Sequence, residues 1–73
     1  MSRNTALYVK DILQSMRDAQ ELIQGLSFDD FGRDKKTFSA VIRAIEVIGE
    51  AAKNIPESVR TQYPAVPWKE MAG

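Results

Sequence analysis

The residues best suited to chemistry are two carboxylates four positions apart, Glu46 and Glu50. On a helix this spacing places both side chains on one face. Such a pair could hold a hard divalent cation or share a proton. Arg43 and Lys53 each lie three positions from one of these carboxylates, so the same face also fits two surface ion pairs. Because no second acidic helix motif completes a carboxylate-bridged centre, we expect neither a metal site nor a cofactor.

The composition removes most other catalytic arrangements. The 73 residues contain no histidine and no cysteine, which excludes a histidine-based triad, a thiolate ligand and a disulfide framework. Ten basic and ten acidic residues balance, so charge alone does not indicate a nucleic-acid surface. Apolar runs are too short for a membrane span, and the N-terminus lacks the apolar core of a signal peptide. We therefore expect a cytoplasmic protein, and the residues alone predict a small helical association module.

The first long helix is predicted from about Asn4 to about Gln24. Asn4 suits the N-cap, and Gly25 suits the left-handed position after the last turn. With Ile12 as the reference, the apolar stripe lies within about 60° of it at helical spacing. This stripe contains Tyr8, Val9, Met16, Ala19 and Ile23.

The connector "LSFDDFGRDKKT" leads into a second long helix. Ser27 predicts the cap of a single helical turn, in which Phe28 and Phe31 close the end of the helix pair. Asp34 predicts the cap of the second long helix, from about Lys35 to Asn54.

The second helix is apolar around most of its circumference, which indicates contact with more than one neighbour. Its main stripe contains Phe38, Val41, Ile42, Ile45, Ile48, Gly49 and Ala52. An adjoining stripe of small residues contains Ala40, Ala44, Val47 and Ala51, and we predict it to be a homodimer interface because one neighbouring helix cannot cover both stripes. Gly49 predicts close approach of a helix or a ligand. The predicted fold is an all-α antiparallel helical hairpin or bundle, with the residues from Pro56 onward packed irregularly beside it.

The run "AVIRAIEVIGEAAKNIPESVRTQYPAVPWKEMAG" resembles the HepT-like branch of the HEPN superfamily. Its most specific part is the pattern R-x-x-E-x-x-G-E-A, followed by the Tyr-Pro and Pro-Trp pairs and then "MAG". The pattern is formed by Arg43, Glu46, Gly49, Glu50 and Ala51. The resemblance extends to "YVKDIL" and "GLSFDDF", and Gly32 departs from the larger apolar residue usual in the family.

The resemblance implies that residues 1–73 form a single, partial HepT-like domain: an up-down bundle lacking its C-terminal helices. It implies a toxin of a HEPN and minimal nucleotidyltransferase toxin–antitoxin pair that cleaves RNA without a metal. Implied partners are a second copy, a nucleotidyltransferase antitoxin and RNA. The polar residues of the family signature would be Arg43, Glu46 and Glu50.

The resemblance also implies that the family's catalytic residues lie outside these 73 residues. The family's catalytic arginine and histidine would follow the position of Gly73, so we expect a truncated chain that is inactive as given. The alternative is a non-catalytic module that dimerises or binds an antitoxin.

Overall fold

The two long helices are both present in the computed structural model, which covers residues 1–73. Helix α1 comprises Arg3–Ile23, α2 Phe28–Arg33, α3 Lys35–Lys53, α4 Glu57–Gln62 and α5 Trp68–Ala72. Helix α1 packs along α3, while α2 and α5 each contact α3 as well. The predicted all-α helical hairpin is therefore confirmed. None of the helices combines the length and hydropathy that a membrane crossing needs.

The ends of α1 follow ordinary capping chemistry. The Ser2 hydroxyl accepts a hydrogen bond from the backbone N–H of Thr5 at 3.1 Å, so α1 begins before the predicted Asn4 cap. At the other end Gly25 has a φ of 78°, the left-handed conformation that a residue without Cβ adopts most readily. Two local signals, a hydroxyl and a glycine, thus determine where α1 begins and ends.

Helix α2 lies in the connector between the two long helices and makes one aromatic contact with α3. Ser27 caps it as predicted, and the ring of Phe31 lies 5.4 Å from that of Phe38 on α3, measured between centroids. The prediction for Phe28 is wrong, because this side chain is 88% exposed. The aromatic contact with α3 is made by Phe31.

Asp34 caps α3 by accepting two hydrogen bonds from Thr37. The hydroxyl of Thr37 donates to one carboxylate oxygen at 2.7 Å and its backbone N–H to the other at 3.0 Å. These bonds hold the pKa of the Asp34 carboxyl below its ordinary value, the hydroxyl bond contributing most. Since the carboxyl has its ordinary pKa in the unfolded chain, its stabilisation is complete above that value and is lost as the pH falls through the lowered one.

We predict that Asp34→Asn makes the fold less sensitive to acid. Asparagine caps about as well as aspartate but does not titrate, so only the pH-dependent part of the stability should disappear. The thermal midpoint, followed by circular dichroism, should fall less in the variant than in the wild type between about pH 7 and about pH 2. An equal fall in the two proteins would show that Asp34 contributes nothing to acid sensitivity.

The core lies where α1 crosses the small residues of α3. Ile12 is 6% exposed and packs in one cluster with Ala51, Ala52, Ile55 and Val59. Alanine lets two helix backbones approach closely, so a single isoleucine can fill the space between them. Of the large residues of the main stripe, Ile48 packs against this cluster.

The small-residue stripe is therefore part of the intrachain packing. Ala44 and Ala51 are only 8% and 5% exposed in the single chain, and Ala40 and Val47 are partly buried. This stripe is not a free surface in the single chain, because Ala51 packs in one cluster with Ile12 of α1. Instead, the large residues Phe38, Ile42 and Ile45 of the main stripe stay between 39% and 55% exposed.

The C-terminal segment from Pro56 onward contains the two short helices α4 and α5. A Cβ at Gly49 would lie 3.2 Å from the carbonyl oxygen of Met71, so the missing side chain lets α5 approach α3. The interpretation of Gly49 as a helix contact is thereby confirmed. The indole N–H of Trp68 donates to the carbonyl of Tyr63 at 3.1 Å and fastens the start of α5 to the segment before it.

Candidate functional site

The predicted polar residues of α3 line one groove between α1 and α3. The groove has a volume of about 460 Å³. Its lining consists of Tyr8, Asp11, Arg43, Glu46, Val47, Glu50, Ala51 and Asn54. The structure therefore brings together the three polar residues of the sequence pattern and adds two side chains from α1.

The two carboxylates of α3 each face a basic residue of their own helix. Arg43 Nη1 lies 3.9 Å from Glu46 Oε2, and Lys53 Nζ lies 3.9 Å from Glu50 Oε2. This geometry confirms the ion-pair interpretation of the four residues. All four side chains are more than half exposed, and such pairs stabilise a fold by only about 0–1 kcal/mol. They can consequently turn towards an incoming partner at little cost.

The electrostatics of the groove favour a basic partner over a phosphate. Arg43 is the one cation of its lining and Lys53 pairs with Glu50 beside it, whereas Asp11, Glu46 and Glu50 contribute three carboxylates. No three carboxylates of the chain come close enough together to hold a metal ion. The groove can accept hydrogen bonds and pair with cationic side chains, while its excess negative charge repels a nucleic-acid backbone.

Tyr8 and Asp11 were not predicted as site residues. Tyr8 was interpreted as a packing residue, and Asp11 had no assigned role. The signal that could have placed them is the antiparallel pairing of the hairpin. This pairing sets the first half of α1 beside the last half of α3, where Glu46 and Glu50 lie.

Comparisons with known proteins point to one family. The sequence model of the family described as "Ribonuclease HepT-like" matches residues 12–73. A Thermococcus cleftensis protein named a probable ribonuclease HepT is 46% identical over 72 residues, covering 99% of this chain and 66% of that protein. A Methanocaldococcus jannaschii protein provisionally named an RNase is 49% identical over 70 residues, covering 96% of this chain and 58% of that protein.

A third relative, from Caldanaerobacter subterraneus subsp. tengcongensis and also provisionally named an RNase, is 44% identical over 66 residues. That match covers 90% of this chain and 59% of the relative. The chain thus spans between 58% and 66% of the length of these three relatives. No solved structure matches the chain.

Proposed function

Because this chain belongs to the HepT-like ribonuclease family, we propose that it forms the helical scaffold of a protein that cleaves RNA. The observation that carries the proposal is the match over residues 12–73, which includes all of α2 to α5. The relatives named as ribonucleases are longer than the matched region. Cleavage is accordingly proposed for the family-length protein.

We further propose that the RNA-cleaving residues lie outside these 73 residues. Cleavage without a metal needs a group that moves a proton to or from the ribose hydroxyl and a cation that stabilises charge on the phosphate. By resemblance these are a histidine and an arginine. The sequence contains no histidine, and the groove around Glu46 and Glu50 carries excess negative charge. Both facts support a scaffolding role for this part of the protein.

In the cell we propose the role of a toxin paired with a nucleotidyltransferase antitoxin, acting as a homodimer in the cytoplasm. The support is the R-x-x-E-x-x-G-E-A pattern, whose charged side chains on α3 are exposed. A basic surface on the antitoxin would suit the acidic groove. This pairing would use Arg43, Glu46 and Glu50 for recognition.

A second candidate function is a non-catalytic module that dimerises or binds an antitoxin. It is favoured by the exposed apolar side chains, which include Leu13, Phe38 and Ile45 at 46–55% exposure. Exposed apolar patches mark sites of interaction with other molecules.

Incubation of two proteins with the same labelled RNA tests the proposal. One is the 73-residue chain, and the other is a fusion that adds the residues of the Thermococcus cleftensis relative lying outside the match. We expect cleavage by the fusion and none by the chain alone. Cleavage by neither would favour the non-catalytic module. Cleavage by the chain alone, abolished in Glu46→Gln or Glu50→Gln, would overturn the scaffold assignment and place the active site on α3.

A further inference from the structure

Helix α5 has only five residues, so its position depends on contacts with the rest of the chain. A helix of this length does not form alone in water, because nucleation costs more than one turn returns. Three of its side chains, Trp68, Met71 and Ala72, pack against the buried cluster. The indole N–H of Trp68 donates to the carbonyl of Tyr63 at 3.1 Å, and Pro67 restricts the backbone just before the helix. The first residues of α5 are thereby held in place.

The last residues of α5 lie against the backbone of α3 at Gly49. A Cβ at this position would lie 3.2 Å from the carbonyl oxygen of Met71 and 3.9 Å from that of Ala72. The first distance is tighter than nine in ten real Cβ contacts, so a side chain would displace its neighbour by a few tenths of an ångström. Glycine is the least favourable residue after proline inside a helix, yet α3 continues through Gly49. The missing Cβ thus determines how closely α5 approaches α3.

A side chain at Gly49 would move α5 and leave α3 in place. Helix α3 has 19 residues and is fixed against α1 through the buried cluster. Beside the contact with α5 lies an open depression of about 410 Å³, whose lining includes the exposed side chains of Glu50 and Glu70. Exposed charged side chains of this kind do not hold a helix in position. The short helix is therefore the element that gives way.

The displacement of α5 would be a tilt, because Pro67 and Trp68 hold its first residues. Met71 lies about 4.5 Å along the helix axis from Trp68, so a shift of about 0.3 Å at Met71 corresponds to a tilt of about 4°. A group that moves with α5 at about 15 Å from Trp68 would then be displaced by about 1 Å. A small change at Gly49 is thus amplified in the residues that follow α5.

We propose that Gly49 is a positioning residue for RNA cleavage, because its missing Cβ fixes the direction in which α5 leads to the catalytic segment. This inference rests on the proposed function, in which the RNA-cleaving residues lie outside these 73 residues and, by resemblance, follow position 73. A displacement of about 1 Å in a catalytic group can lower a rate by about 10²-fold. Gly49 does not itself contact RNA in this arrangement, so its replacement should lower kcat and leave KM unchanged.

A purely structural role for Gly49 predicts a different result. Alanine is a better helix former than glycine, so Gly49→Ala favours α3 itself while it displaces α5. If Gly49 served stability alone, activity would follow the folded fraction of the protein and would recover on cooling. A positioning role predicts that the loss of kcat persists at temperatures where the variant is fully folded.

The test uses the fusion with the Thermococcus cleftensis residues described above and two matched pairs of substitutions. Gly49→Ala and Gly49→Leu are compared with Gly32→Ala and Gly32→Leu. Gly32 also lies in a helix, and a Cβ there would meet nothing within 4 Å. Alanine and leucine both favour helices, so neither pair loses helix propensity. We expect kcat to fall about tenfold in Gly49→Ala and about 10²-fold or more in Gly49→Leu, with KM unchanged, while both Gly32 variants retain their kcat.

Two further measurements on the same proteins separate displacement from unfolding. Circular dichroism at 222 nm should show that all four variants retain the helix content of the unsubstituted fusion. Amide nitrogen–proton correlation spectra should show shifted signals for Glu70, Met71 and Ala72 in both Gly49 variants and unchanged signals in both Gly32 variants. The kinetics are measured well below the thermal midpoint of each variant.

The outcomes distinguish this inference from the proposed function. Equal kcat in the unsubstituted fusion and in both Gly49 variants would overturn the positioning role and leave the proposed function intact. A loss of kcat that accompanies a loss of helix content and recovers on cooling would assign Gly49 to stability and would also overturn it. An unsubstituted fusion that does not cleave RNA would overturn the proposed function and this inference with it.

Discussion

We expect Ile12→Ala to leave most of the chain unfolded at 25 °C. Ile12 is one of the two isoleucines of the buried cluster, and only eight of the 73 residues are buried. Replacing a buried isoleucine with alanine costs about 2–5 kcal/mol, because apolar burial is lost and a cavity remains. A single core in a chain of this size rarely supplies more than about 3–5 kcal/mol. The substitution therefore removes most or all of the net stability.

The measurement is circular dichroism at 222 nm and Trp68 fluorescence in dilute solution, where association contributes least. Leu7→Ala is the matched control: it removes a large apolar side chain from the same helix at a position that is 49% exposed. This control should retain its helix content. If Ile12→Ala retained it too, the contact between Ile12 and the alanines of α3 would not be the main source of stability.

The helices could be predicted because their signals are local. Ser27 and Asp34 cap their helices in the structure as the sequence predicted, and Gly25 has the predicted left-handed conformation. Each of these features depends on residues within one turn. The proximity of Glu46 and Glu50 is equally local, since it follows from their spacing on a single helix.

The packing could not be predicted in the same way. Hydrophobicity ranks Phe38, Ile42 and Ile45 above alanine, and the stripe of small residues was predicted to be a dimer interface rather than the contact with α1. The structure places the small residues there, because close backbone approach around Ile12 yields more contact than a wider spacing between bulky side chains. The contribution of Asp11 to the polar groove depends on the same pairing and was missed for the same reason.

Arg60 shows how a surface residue can determine tertiary structure. Its Nε donates to the carbonyl of Ile55 at 3.0 Å, and its Nη2 donates to the carbonyl of Ala52 at 2.6 Å. These carbonyls lie at and just beyond the C-terminal end of α3, where backbone oxygens lack helical partners and the helix dipole favours a cation. One guanidinium thus caps α3 and attaches α4 to it.

We predict that Arg60→Met lowers the free energy of unfolding by about 1.5–3 kcal/mol, the usual contribution of hydrogen bonds from a charged donor. Methionine keeps the apolar stem of the side chain, so the lost free energy of unfolding comes from the N–H donors of the guanidinium. Arg60→Lys should recover part of it, because an ammonium can reach one carbonyl but lacks the planar fork that reaches two. Arg17→Met is the control, since the Arg17 side chain is exposed and takes part in none of the side-chain hydrogen bonds or ion pairs. The measurement is urea unfolding followed by circular dichroism. Equal urea midpoints for Arg60→Met and Arg17→Met would show that the guanidinium does not hold the C-terminal segment on α3.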